Sequence, residues 1–111
     1  MRAARYRPIV ATNAKRRPAR DRVSAYHQAQ LAGLLRHIVV AIDRYRAGDI
    51  DAYAADETIH HYHRAAAELW KFCFAQGAGT HAEFIADLLD RMTADAQAID
   101  WWDRATPRRH Q

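Results

Sequence analysis

The densest group of side chains able to do chemistry is Asp56, Glu57, His60, His61 and His63. Asp56, His60 and His63 stand at i, i+4 and i+7, which places two imidazoles and a carboxylate on one helix face, a donor set that can bind a metal ion. Glu57 and His60 also form the i, i+3 pair used by di-iron carboxylate sites in helical bundles, but such sites need a second pair and two further glutamates on facing helices. The first helical stretch offers Asp43 and His37 and the third Glu83 and Asp87, with no second Glu-x-x-His anywhere. The simpler reading is a polar helix face laced by pairs such as Glu57 with His61 and Arg64 with Glu68, with Asp56, His60 and His63 kept as the alternative metal set. No cofactor is implied.

Two further spacings bear on catalysis. Arg22 with His27 and Arg104 with His110 meet the Arg-x(4 to 6)-His spacing of helical HEPN-type ribonucleases. In a chain this rich in Arg and His such spacings arise by chance, and Pro107 interrupts the second. There is one serine, Ser24, and no phosphate-binding glycine loop. Catalysis is therefore the weaker expectation, and a binding role the stronger.

Charge is divided unevenly between the elements that would position such groups. Arg2, Arg5, Arg7, Lys15, Arg16, Arg17 and Arg20 fall in the first twenty residues without an acid, whereas all thirteen acids lie in residues 21–103. With Pro8 and Pro18 inside it, residues 1–20 read as a disordered basic arm, whose Lys15, Arg16, Arg17 and Arg20 could neutralise nucleic-acid phosphates. Residues 21–104 read as one helical domain and 105–111 as a basic tail.

Three amphipathic stretches make up that domain. Val23, Leu31, Leu34, Leu35, Ile38, Ile42 and Tyr45 recur at helical spacing up to Gly48; Tyr53, Ile59, Tyr62, Ala66, Leu69, Trp70 and Cys73 follow the capping carboxylates Asp49 and Asp51. After Gly77, Ala78 and Gly79, Thr80 and Glu83 form a capping box ahead of Phe84, Ile85, Leu88, Leu89, Met92, Ala96, Ile99 and Trp102, predicting a third helix that runs to about Arg104. The fold class is all-α, a three-helix antiparallel bundle or a long hairpin with a third helix leaning on it. About eighty ordered residues bury little, so a partner or a second copy would help, and a homodimer is in keeping with the size. The single cysteine, Cys73, sits between Phe72 and Phe74 as a packed thiol, and no apolar run approaches the ~20 residues of a membrane span. These features point to the cytoplasm.

The third stretch is also the most acidic. Glu83, Asp87, Asp90, Asp95, Asp100 and Asp103 are opposed only by Arg91, and the adjacent Trp101 and Trp102, about 100° apart on a helix, cannot both occupy one narrow stripe. One is expected in the core and the other at its edge. We therefore expect Asp87, Asp90, Asp95, Trp101 and Trp102, with Trp70 and Lys71 at the end of the second helix, to contact a basic partner protein.

The run Tyr45-Arg46-Ala47-Gly48-Asp49-Ile50-Asp51, followed by Asp56-Glu57-x-Ile59-His60-x-Tyr62-His63-Arg64 and Glu68-Leu69-Trp70-Lys71-Phe72-Cys73, resembles small helical actinobacterial proteins. Some of these stand beside nucleotidyltransferase-like toxin genes, so the resemblance implies an antitoxin similar to the small helical antitoxins of MenT-type toxins. It implies a toxin partner and carries over no catalytic residue.

Overall fold

The computed structural model describes residues 7–74 and 80–107, with side chains over 17–74 and 81–107. It is all-α: α1 (Arg7–Arg46), α2 (Ala52–Phe74), α3 (Thr80–Ala94) and the single turn α4 (Trp101–Arg104), with no strand among the described residues. No described helix is long and apolar enough to cross a membrane.

The first helix begins at Arg7 rather than near Asp21, and both prolines expected to break the arm lie within it. Pro8 falls in the first turn, where a backbone N–H has no helical acceptor and the fixed φ suits a helix start. Pro18 is interior, where losing an amide and crowding the preceding turn cost about 3 kcal/mol. The next residues dock regardless. Ala19 and Val23 are buried against the core, and Arg22 Nε donates to Asp90 Oδ1 of α3 at 3.3 Å.

Local chemistry sets most of the remaining boundaries. Gly48, at φ 82°, ends α1 in a Schellman arrangement, with Asp49 N donating to Arg44 O at 2.9 Å and Gly48 N to Tyr45 O at 3.0 Å. Asp51 caps α2, accepting from Ala54 N at 2.9 Å. The Gly77–Gly79 break and the Thr80 side chain of the expected capping box lie outside the described residues.

The third helix stops at Ala94, ten residues short of the expected end. Ala96 takes φ 55°, and the bonds Gln97 N to Met92 O (2.8 Å) and Ala96 N to Thr93 O (3.1 Å) repeat the Schellman pattern without a glycine. An extended link then leads to Asp100, which caps α4 by accepting from Asp103 N at 3.0 Å. Since a left-handed backbone strains an L side chain but not glycine, Ala96→Gly should stabilise the fold by roughly 0.5–1 kcal/mol, read as a higher thermal midpoint.

Aromatic contacts fix the layout. Tyr26 lies near Phe72, His27 against Phe74, and His37 and His61 on opposite faces of Trp102, so α1 and α2 run antiparallel. The clefts they share place Glu83 and Ala86 of α3 beside Pro18 and Ala19 of α1, and Thr93 farther along beside Ala29, so α3 runs parallel to α1. The core joins Val23 and Leu34 of α1, Ala65, Leu69 and Cys73 of α2, Ile85 and Leu89 of α3 and Trp101 of α4. Alanines at 41, 55 and 65 keep the seam between α1 and α2 narrow.

Burial pushes the Cys73 thiol up to about 11, from the ordinary 9.0. In the unfolded chain the thiol ionises near 9, so above that pH the unfolded state holds fewer protons than the fold. The stability present below pH 9 is therefore lost as the pH rises to about 11, by about 2–3 kcal/mol. Urea midpoints of the native protein should fall more steeply over this range than those of Cys73→Ala.

Candidate partner-binding surface

Trp101 and Trp102 project from the one turn of α4 in different directions and meet different fates. Trp101 is only 3% exposed: its indole N–H donates to Tyr26 Oη at 2.8 Å, Phe72 tilts against it at 5.3 Å, and Arg104 lies 5.1 Å from the ring centre. The Tyr26 hydroxyl is held above its ordinary range by burial, which outweighs the bond from Trp101. Trp101 is thus a core residue and is removed from the expected contact set. Its position follows from the reversal at Ala96, which folds residues 97–104 back onto α1 and α2.

Trp102 is half-buried between two histidines. Its indole stacks on His37 of α1 and His61 of α2, each at 3.8 Å between ring centres and within 11° of parallel. His61 Nε2 also donates to Trp102 O at 2.8 Å, which fixes the proton on that nitrogen. Stacked pairs of this kind add ~0.5–1.5 kcal/mol each beyond their buried area. With both faces covered, Trp102 offers a partner only its edge. It lines an open groove of about 460 Å³ with Gly33, Arg36, Val40, Arg44 and Thr58. No sequence signal links His37, His61 and Trp102, which come from three elements and meet only through tertiary packing.

The rest of the histidine-rich face behaves as a solvated surface. His60 bonds Asp56 at 3.1 Å with both side chains 65% exposed, and His63 sets its ring edge-on to Tyr62. Among the described residues no three His, Cys, Asp or Glu side chains stand close enough together to hold a metal ion. The expected pairs of Glu57 with His61 and Arg64 with Glu68 do not form: His61 turns to Trp102, Arg64 Nε reaches Ala105 O at 3.5 Å, and Glu68 takes Lys71 at 3.4 Å. The Arg-His spacings are also used otherwise, Arg22 on Asp90 and His27 on Phe74, while His110 lies outside the described residues.

Asp87 and Asp90 on α3 and Asp95 just past its end are all exposed, and among the described residues Asp90 alone of the three is paired, with Arg22. Phe84, one turn before Asp87 and Leu88, stands 56% exposed, and Trp70 at the end of α2 is 52% exposed beside an exposed Lys71. The helical stripe predicts a core position for Phe84. It is exposed because of the angle at which α3 docks: Ile85, Ala86 and Leu89 face α1, and Phe84 is rotated to the outer edge. Of the basic set, Arg17 and Arg20 are exposed on α1, and the side chains of Lys15 and Arg16 lie outside the described residues.

Compared with family models, curated proteins and solved structures, the chain matches no family model, no curated protein and no solved structure.

Proposed function

We propose that the chain is a non-enzymatic protein-binding module that seats the outer face of α3 on a basic protein, with the Trp70–Lys71 end of α2 as a second contact. One observation carries the reading: Phe84 stands more than half exposed one turn from Asp87, a carboxylate without an intramolecular ion pair among the described residues. An apolar ring flanked by unpaired acids favours a partner that supplies arginine or lysine around an apolar pocket. A basic groove that binds nucleotide or RNA has that character, and occupying it excludes the substrate. The resemblance to small helical antitoxins suggests the same role, inhibition of a nucleotidyltransferase-like toxin. Co-expression with the product of the neighbouring gene tests it: a stable complex and relief of toxicity are expected, both lost in Phe84→Ala with Asp87→Lys. Failure to form a complex, or a complex indifferent to both substitutions, would remove this reading.

A second reading draws on the continuation of α1 through Lys15, Arg16, Arg17 and Arg20, which puts four cations on a preformed helix. Such a helix would hold nucleic-acid phosphates. Its signature is affinity for duplex DNA or RNA that falls steeply and log-linearly with salt. No binding at low salt would end it.

A further inference from the structure

We propose that the groove between α1 and the first turns of α2, bordered by the edge of Trp102, binds a nucleoside diphosphate. Arg36, His37 and Arg44 of α1 line it, and no carboxylate does. That lining runs against the composition around it. Residues 21–103 hold thirteen acids and seven Lys and Arg, so acids should outnumber bases in a cleft built from this stretch. Other described clefts follow that rule: Arg22 shares one with Glu83, Asp87 and Asp90, and Arg104 shares another with Asp100 and Asp103. Where Arg22 is the sole charge in a third, Asp90 already holds it.

Both groove arginines lack a partner among the described residues, whereas Arg22 bonds Asp90, Arg64 reaches Ala105 and Lys71 takes Glu68. The carboxylates nearest in sequence, Asp43, Asp49, Asp51 and Glu57, do not line the groove, and Asp51 is committed to capping α2. Gly33 sets where Arg36 lies. A Cβ at residue 33 would come within 3.3 Å of Arg36 Nη2, so the bare backbone lets the guanidinium fold back along the helix into the groove. His37 is held at the groove wall by its stack on Trp102.

Spacing and lining together select the ligand. Arg36 and Arg44 stand eight residues apart, about 12 Å along the helix axis, so two anionic groups satisfy both cations without drawing Arg36 away from Gly33. Guanidinium grips a phosphate through parallel N–H to oxygen bonds, and a diphosphate offers one phosphate to each. Val40, 55% exposed, and Ile50 supply an apolar wall for a base. Thr58 gives its own proton to Ala54 O, which leaves the hydroxyl oxygen to accept from a ribose. Because both faces of Trp102 are covered, the base rests on aliphatic side chains rather than on the indole. At about 460 Å³ the groove lies within the ~300–1,000 Å³ of small-molecule sites. It shares no residue with the acidic face of α3, so nucleotide binding is independent of the partner-binding role.

Equilibrium dialysis of the full chain against labelled ADP at low salt tests it. Binding is expected, with inorganic pyrophosphate competing and adenosine failing to compete. Arg36→Gln with Arg44→Gln should weaken ADP by about tenfold or more, the equivalent of one charge-assisted hydrogen bond. Both side chains are exposed, so the helical circular dichroism of this variant should be native, and Arg44→Gln alone gives the same reading should the pair disturb folding. Two control pairs locate the site. Arg17→Gln with Arg20→Gln alters the basic stretch of α1, Phe84→Ala with Asp87→Lys alters α3, and neither should change the affinity for ADP. Three results overturn the inference: no ADP bound at low salt, adenosine competing as well as pyrophosphate, or an affinity that survives the loss of Arg36 and Arg44 or disappears with Arg17 and Arg20.

Discussion

Trp101→Ala should cost about 3–5 kcal/mol, enough to leave a domain of this size largely unfolded at room temperature. Two losses combine. The indole is nearly inaccessible and bridges α1, α2 and α4, so its removal leaves a cavity that helices anchored at three separate points cannot close. The Tyr26 hydroxyl also loses its indole donor, the hydrogen bond that ties α4 to α1. Trp101→Phe weights the two effects differently, since it removes the bond while keeping much of the ring volume, and should cost less, about 1–2 kcal/mol. Urea unfolding followed by far-ultraviolet circular dichroism measures both. If Trp101→Ala unfolds at the native urea midpoint, the burial described for that ring is wrong.

Leu69→Ala comes next, at about 2–5 kcal/mol. Leu69 has no accessible surface and occupies the middle of α2, in the cluster with Leu34, Ile85, Leu89 and Trp101. Among the described residues few large side chains are fully buried: Leu69, Leu89, Val23 and Cys73 are the largest. Because much of the remaining core is alanine, neighbouring side chains have little length with which to fill the gap. The unfolding midpoint should fall without a change in the denaturant slope. A substitution of the same type at Leu35, which is 44% exposed, should cost far less, which separates core burial from an exposed helix face.

The all-α class was legible because its signals are local. Gly48 and Asp51 mark helix boundaries through φ and capping geometry, which depend on one or two residues, and both act in the fold as their types require. Pro18 and Ala96 were misleading for the opposite reason. A proline ordinarily ends a helix, but the docking of Ala19 and Val23 and the Arg22–Asp90 bond hold the backbone through it. Ala96 continues an apolar stripe at correct helical spacing, so nothing in its type announces a left-handed turn. That turn is favoured by tertiary packing a few residues later, where Trp101 seats against Tyr26 and Phe72. Candidate surface residues divide the same way. Acidic positions 87, 90 and 95 could be read as exposed from their type alone, whereas the availability of Trp101, Trp102 and Phe84 depended on docking angles that no periodicity encodes.

Pro18 has one more consequence. Lacking an amide hydrogen, it cannot bond the carbonyl of residue 14, so the hydrogen-bond ladder of α1 has a missing rung between its basic beginning and its docked remainder. Unzipping that starts at Arg7 meets a natural stop there and need not propagate into the core. The first turns can melt and re-form against an oppositely charged surface while the rest of the molecule keeps its shape, and backbone amides on the two sides of residue 18 should exchange with solvent at distinct rates.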